Sequence, residues 1–224
     1  MAREFWVDIE WVPFELHPEI PDGGLPREDL RLPQRPGVGD YLRELAADAG
    51  LPMRSNPTVA NGHRALEATE WARAQGRDPF DRLHRALFHA YFAQARNIST
   101  RGQVLDVVRA AGLDADACAA ALDAGAFRAH IDELTQVARA QGIQGTPVFI
   151  FDDRYMVQGC QDYAVFADVL TRLGVPRRAG ADPGDSGAAS SPPAAPGDLI
   201  DPAGIDGPSR PARSGGDAGE RPSG

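Results

Sequence analysis

The segment from Gly142 to Gln161 constrains the fold more than any other part of this 224-residue chain. Thr146-Pro147 opens a β-branched and aromatic run, Asp152-Asp153-Arg154 interrupts it, and a second apolar run follows. Short apolar runs separated by turn residues are typical of a buried β-hairpin. Proline has no N–H for a sheet ladder and is tolerated at the first position of a strand, so Pro147 suits this place. The pattern predicts a hairpin with a helix on either side.

Composition and charge exclude several classes of function. The net charge of −9 disfavours non-specific binding to nucleic acid, which needs a basic surface. All 23 basic residues are arginine, so no lysine-based chemistry is available. Residues 1–20 lack the basic and apolar regions of a signal peptide, and no apolar run is long enough for a membrane span. We therefore expect a soluble, cytoplasmic protein that binds neither nucleic acid nor membrane and has one sizeable core, or one core with an inserted subdomain.

The N-terminal residues alternate between apolar and polar side chains, which predicts a strand over residues 5–12. Its apolar face would carry Phe5, Val7, Ile9 and Trp11, and Pro13 would end it. The proline-rich stretch from 17 to 37 predicts a long surface loop.

Helical periodicity dominates the next hundred residues. Four predicted helices cover residues 38–49, 114–124, 127–141 and 163–173. Three more are placed by their end signals: one lies between Asn61 and Gly76, one starts at Asp78-Pro79 and continues through Phe92, and one is capped by Ser99 or Thr100 and closes at Gly112. The first of these should pack Tyr41, Leu42 and Leu45 inward. From residue 177 onward the chain is rich in glycine and proline and has no aromatic residue, so residues 177–224 are predicted to be a disordered tail.

Several segments together resemble the DsbA family of thiol-disulfide oxidoreductases, and most closely its FrnE-like branch. They are Trp11–Pro18, Asn61–Arg73, Leu87–Ile98, Gly142–Phe149 and Tyr155–Gln161. The resemblance implies an α/β thioredoxin-like fold with an inserted all-helical subdomain. Residues 1–16 and 126–176 would form the thioredoxin-like portion and residues 38–125 the insertion. It also implies a cis peptide bond between Thr146 and Pro147, in the loop that lies against the catalytic thiols in that family.

The chain departs from the family in one respect, because it contains no Cys-x-x-Cys motif. In the family this motif follows a first strand, which lies in the middle of the sheet, and both are missing here. The predicted strand 5–12 and the hairpin would then each have an unpaired edge. Each buried backbone group without a partner lowers the stability by about 1 to 3 kcal/mol. We therefore expect that the polypeptide begins upstream, that strand 5–12 pairs with the hairpin, or that another chain fills the gap.

The resemblance implies an oxidoreductase that is incomplete or inactive as this chain. Two alternatives remain open: a glutathione-dependent enzyme similar to 2-hydroxychromene-2-carboxylate isomerase, and a redox-dead module that binds extended peptides. The expected partner is a protein or peptide thiol or disulfide, with glutathione for the isomerase alternative. Substrate would contact Gly145, Thr146, Pro147 and Asn61. No cofactor or metal ion is expected.

The two cysteines and several histidines have both a functional and a structural interpretation. Cys160 precedes the last helix, whose N-terminus could stabilise a residual thiolate, but we favour a small buried packing residue. Cys118 lies among alanines and should be packing. His84 and His89 are five apart, so they do not form a metal-binding pair at i, i+4. His17 and His63 could line a substrate groove, although solvated or capping roles are favoured, and an N-cap role explains Asn61 without function.

Overall fold

The computed structural model describes residues 1–30 and 37–179, together with the backbone of a short strand at Leu199–Ile200. Its helices are α1 (Val38–Asp48), α2 (His63–Gln75), α3 (Arg77–Phe88), α4 (Arg101–Ala110), α5 (Ala115–Asp123), α6 (Arg128–Ala140) and α7 (Tyr163–Arg172). Its strands are β1 (Leu25–Pro26), β2 (Thr58–Val59), β3 (Val148–Phe151), β4 (Tyr155–Gln158) and β5 (Leu199–Ile200). A π-turn at His89–Ala93 extends α3. No helix within these residues is both long and apolar enough to cross a membrane.

Helix ends follow the capping signals in the sequence. Thr100 caps α4 with a capping box, in which its side chain and that of Gln103 each accept a backbone N–H from the other residue. Gly50 and Gly112 follow α1 and α4 with φ of 66° and 70°, a left-handed conformation that glycine adopts without strain. The predicted start of α3, with Asp78 as its N-cap, is wrong by two residues, because Gly76 is the N-cap and Arg77 begins the helix.

The main core lies among α2, α3, α4 and α5. Fourteen buried residues form one cluster there, and Leu83, Val104, Val108 and Cys118 are fully enclosed. The small buried residues Ala68 and Ala72 allow α2 to approach its neighbours closely. All fourteen residues lie between positions 38 and 125, and the division of the chain into a helical insertion and a thioredoxin-like portion stays a prediction.

α1 differs from the prediction, since it buries none of its residues. Tyr41 and Leu42, expected to face inward, are 45% and 37% exposed. The preceding loop also differs, because Leu25–Pro26 pairs with Thr58–Val59 and Ile20 is buried. Residues 31–36 of that loop lie outside the described residues.

The sheet is small and antiparallel, in the order β3-β4-β5. Phe149 and Phe151 of β3 pack on Phe166 of α7, with ring centroids 4.8 Å and 6.3 Å apart. Asp152 and Asp153 form the tight turn between β3 and β4 with φ near +50°. The hairpin and the final helix therefore form as the sequence predicts.

The predicted strand over residues 5–12 is wrong. Only Phe5 forms a bridge, with Arg177, and Trp6 N–H donates to the Pro176 carbonyl at 3.1 Å. The segment thus runs beside the chain that follows α7 and does not pair with the hairpin. The expected apolar face is buried only at Phe5, whereas Ile9 and Trp11 are 42% and 47% exposed. Alternation predicts an extended backbone, but it does not specify which strand will be its partner.

Most of the predicted disordered tail lies outside the described residues. At its start, the Arg178 N–H donates to the Glu4 carbonyl at 2.7 Å, and the Arg178 guanidinium lies 3.7 Å from the Trp6 ring centre. Leu199–Ile200 pairs with Met156 and Val157 of β4. These contacts involve only a few residues of the segment, and the disordered tail over residues 177–224 stays a prediction.

Candidate functional site

The loop between α6 and β3 presents Thr146 and Pro147 at the surface. Gly142 ends α6 with φ of 81°, and buried Ile143 returns its N–H to the Ala138 carbonyl at 3.0 Å. This pair of features anchors the loop on the core. Thr146 and Pro147 are both exposed, and the peptide bond between them is cis. The two residues that the resemblance assigned to substrate binding are thus accessible at the start of β3.

The outer edge of β3 has no partner strand among the described residues. Gly159 N–H donates to the Pro147 carbonyl at 2.8 Å, which identifies these two residues as a hydrogen-bonded pair. Because bonding alternates along an antiparallel ladder, the N–H and C=O groups of Val148 and Ile150 point away from β4. Ile150 is also 50% exposed. A short, apolar, unpaired strand edge therefore begins directly after Pro147.

The two cysteines occupy opposite environments. Cys160 is exposed, so the prediction that it is a buried packing residue is wrong. It follows Gly159 and so lies at the same end of the sheet as Pro147. Cys118 is fully buried in the helical core, as predicted, and burial raises the pKa of its thiol to about 11. They form no disulfide, so this chain offers one accessible thiol and no dithiol pair.

Asn61 is buried and its polar atoms are already engaged. Its side chain accepts the His63 N–H at 3.0 Å and donates to the Ile20 carbonyl at 2.6 Å, while its N–H donates to Ser99 Oγ at 3.1 Å. These bonds join the start of α2 to the loop at residue 20 and to the start of α4. The helix itself begins at His63, two residues after the predicted cap. The substrate-binding role of Asn61 stays a prediction.

A cluster that the sequence analysis did not identify lies where residue 15 meets α2 and α6. His63 places Nδ1 at 3.1 Å from Glu15 Oε2 and Nε2 at 3.5 Å from Glu67 Oε1. Glu67 is 1% exposed, Glu15 7%, and the His63 side chain 17%. The structure therefore corrects the expectation of a solvated or simple capping histidine. One signal was available, because His63 and Glu67 are spaced i, i+4 on α2, whereas Glu15 is 48 residues away in sequence.

An aromatic row covers α3 and its π-turn. His84 lies between Trp11, Phe80 and Phe88, with ring centroids 4.7 Å, 5.4 Å and 4.8 Å away. Burial lowers the pKa of His84, which favours the neutral ring. Trp11 and Phe88 remain about half exposed. The row holds the N-terminal segment on α3 and offers aromatic surface to solvent.

The sequence matches the model of the DSBA-like thioredoxin domain over residues 2–171, and the chain belongs to this family. The predicted fold class is thereby confirmed. The structure is similar to the crystal structure of a probable DsbA oxidoreductase from Streptomyces coelicolor, with 25% identity, a TM-score of 0.63, and coverage of 72% of this chain and 73% of that one. It also shares its fold with a 2-hydroxychromene-2-carboxylate isomerase, at 20% identity, a TM-score of 0.50, and coverage of 61% and 66%. No curated protein matches the sequence.

Proposed function

We propose that this chain provides the substrate-binding part of a thiol-disulfide oxidoreductase of the FrnE-like branch. Its substrate is an extended segment of a protein or peptide that carries a disulfide or a thiol. Gly145, Thr146 and Pro147 contact the backbone of that segment beside the disulfide. The redox-active Cys-x-x-Cys lies on polypeptide outside this sequence.

The unpaired edge of β3 is the observation that carries the proposal. Val148 and Ile150 direct backbone donors and acceptors outward, next to the exposed Thr146 and Pro147. An extended peptide can add to such an edge through main-chain hydrogen bonds, which depend little on peptide sequence. Broad binding of this kind suits an enzyme that acts on disulfides in many sequence contexts.

The cysteines support a separate source of the redox thiols. Disulfide exchange needs an accessible thiolate and, for release of the mixed disulfide, a second thiol close to it. Cys160 is accessible, but Cys118 is buried in the helical core and cannot serve as its partner. Cys160 alone could form mixed disulfides without resolving them.

A peptide map of the protein isolated from its own cell tests the source of the thiols. We expect a Cys-x-x-Cys peptide that is continuous with, or co-purifies with, residues 1–224, and insulin-reducing activity that is lost when this pair is alkylated. Full activity from the recombinant 224-residue chain, lost on Cys160→Ser, would refute the proposal. A lone serine or cysteine in place of the pair would favour the glutathione-dependent isomerase alternative.

Ile150→Pro tests the binding edge by itself. Proline at this position removes an N–H that faces away from β4 and blocks strand addition, whereas edge strands tolerate proline. We expect at least tenfold weaker binding of carboxymethylated insulin B chain, measured by fluorescence anisotropy. The control Ile150→Ala keeps the N–H and should bind nearly as well as the wild-type chain. Peptide binding together with the absence of any redox partner would identify the redox-dead binding module.

A further inference from the structure

We propose that Glu15, His63 and Asp132 form a binding site for one divalent transition-metal ion, with Glu67 as the residue that orients His63. One carboxylate oxygen of Glu15, one of Asp132 and one ring nitrogen of His63 lie within 4.8 Å of one another. Imidazole and carboxylate groups are ligands of zinc and related divalent ions. The site shares no residue with the β3 edge, and the proposal does not depend on redox chemistry.

The spacing of the His63 and Glu15 ligand atoms fits a shared ion, and no two of the three ligand atoms are more than 4.8 Å apart. Zinc binds nitrogen and carboxylate oxygen at about 2.0 to 2.2 Å, so two ligands of a tetrahedral ion lie about 3.3 Å apart. His63 Nδ1 and Glu15 Oε2 are 3.1 Å apart. The backbone of Glu15 is fixed against α6, since its N–H donates to Thr135 Oγ1 at 3.1 Å and its carbonyl accepts from Arg139 at 3.3 Å. Asp132 is one turn before Thr135 on the same helix, and it lies at the exposed side of the cluster.

Glu67 is the independent observation that points to a ligand. It is 1% exposed, and neither of its carboxylate oxygens has a hydrogen-bond partner; His63 Nε2 has none either. Glu67 Oε1 lies 3.5 Å from that nitrogen. A carboxylate that accepts the Nε2 proton of a histidine leaves Nδ1 free to bind metal, which is the common outer-shell arrangement of metal-binding histidines. With a metal ion on Nδ1, the Nε2 proton would be directed at Glu67 Oε1, and Glu67 would act as a positioning residue for the proposed site.

The charge balance supports a cation. Three carboxylates surround one imidazole, and among the described residues no arginine forms an ion pair with Glu15, Glu67 or Asp132. Glu70 on the same helix is also buried, but its carboxylate accepts from Arg73 at 3.0 Å. A buried carboxylate without a compensating partner is unfavourable. A divalent ion at Nδ1 would compensate the cluster and join the loop at residue 15 to α2 and α6.

Zinc titration of the full chain, freed of metal with a chelator, tests the site by isothermal titration calorimetry. All variants carry Cys160→Ser, so that the exposed thiol does not compete for zinc. We expect one zinc ion per chain with a dissociation constant in the micromolar range or below. Asp132→Asn should weaken binding by at least about tenfold, and Glu67→Gln by about 10- to 100-fold, as for other residues that orient a ligand.

Glu133→Gln is the matched control, because Glu133 is an exposed acid adjacent to Asp132 on α6 and lies outside the cluster. Its affinity for zinc should stay within about twofold of the parent. Circular dichroism checks that each variant is folded, and the absorption spectrum of the cobalt-substituted protein should change in Glu67→Gln, since a purely structural role would leave the ligand field unaltered. Absence of zinc binding in the Cys160→Ser parent, or equal affinities of Asp132→Asn and Glu133→Gln, would overturn the proposal and leave a metal-free hydrogen-bonded cluster.

Discussion

The helical region buries its apolar side chains within itself, whereas the sheet leaves part of its backbone without hydrogen-bond partners. In the helical region, α2 to α5 enclose one another, and Leu83, Val104 and Val108 are fully buried. The sheet has a much smaller cluster around Val157, Phe166 and Val169, and one edge of β3 has no partner within the described residues. The helical region is an enclosed core, whereas the sheet presents an edge with which another strand can pair.

This difference separates folding from function. Stability depends on the enclosed helices, because buried apolar area provides most of the favourable free energy of folding. Strand addition requires the opposite condition, namely backbone groups that are exposed and unpaired. The two requirements are met in different parts of the chain, and the following predictions test that division.

The largest expected effect is the loss of stability when the same buried atoms are removed from each of the two regions. Val108 in the helical core and Val157 in the sheet cluster are 0% and 1% exposed, so valine to alanine removes two buried carbon atoms in each case. We expect Val108→Ala to lower the free energy of unfolding by about 2 to 3 kcal/mol, and Val157→Ala by about half of that, because fewer atoms surround the latter cavity. Urea denaturation measures both. A Val157→Ala loss equal to or greater than that of Val108→Ala would contradict the comparison.

The two thiols should differ in reactivity. Burial raises the pKa of Cys118 from 9.0 to about 11, which lowers its thiolate fraction at neutral pH about a hundredfold before restricted access is counted. Cys160 is exposed. A chromogenic disulfide reagent should therefore label one thiol of the native protein rapidly and the second only on unfolding. Cys160→Ser should remove the fast phase, and a fast phase that persists in this variant would show that the helical core is open.

A smaller effect concerns the aromatic row that joins the N-terminal segment to α3. The folded-state pKa of His84 is lowered, mainly by burial, so its contribution to stability is present above the unfolded value of about 6.5. It is lost as the pH falls through the folded pKa, because the ring must then become charged beside Trp11 and Phe88. NMR titration should show the His84 ring titrating below the ordinary histidine value of about 6.5, and His84→Phe should reduce the loss of stability at low pH. If the stability of that variant falls at low pH as much as that of the wild-type chain, other groups cause the loss.

Local signals in the sequence predicted much of the fold. The helix ends follow from Thr100, Gly50 and Gly112, whose side chain or backbone freedom acts within a few residues. The hairpin follows from two apolar runs around the Asp152-Asp153 turn. In each case the interacting groups are close in sequence, so propensity and pattern are sufficient.

The remaining features depend on contacts between distant segments. The strand expected at residues 5–12 was wrong because its actual neighbours are Pro176 and Arg178. Exposure of Cys160 depends on which segments cover that end of the sheet, and local sequence does not contain this information. Glu15 and His63 meet only because α2 packs near α6, although the spacing of His63 and Glu67 on one helix could have indicated half of that cluster.

Amide hydrogen exchange along β3 tests the central claim most directly. If the outer edge of β3 is open, the N–H groups of Val148 and Ile150 should exchange at least about tenfold faster than those of Phe149 and Val157, which bond within the hairpin. Addition of carboxymethylated insulin B chain should slow the first pair and leave the second unchanged. Equal strong protection of all four amides in the free chain would show that the edge is already occupied, and would contradict the account.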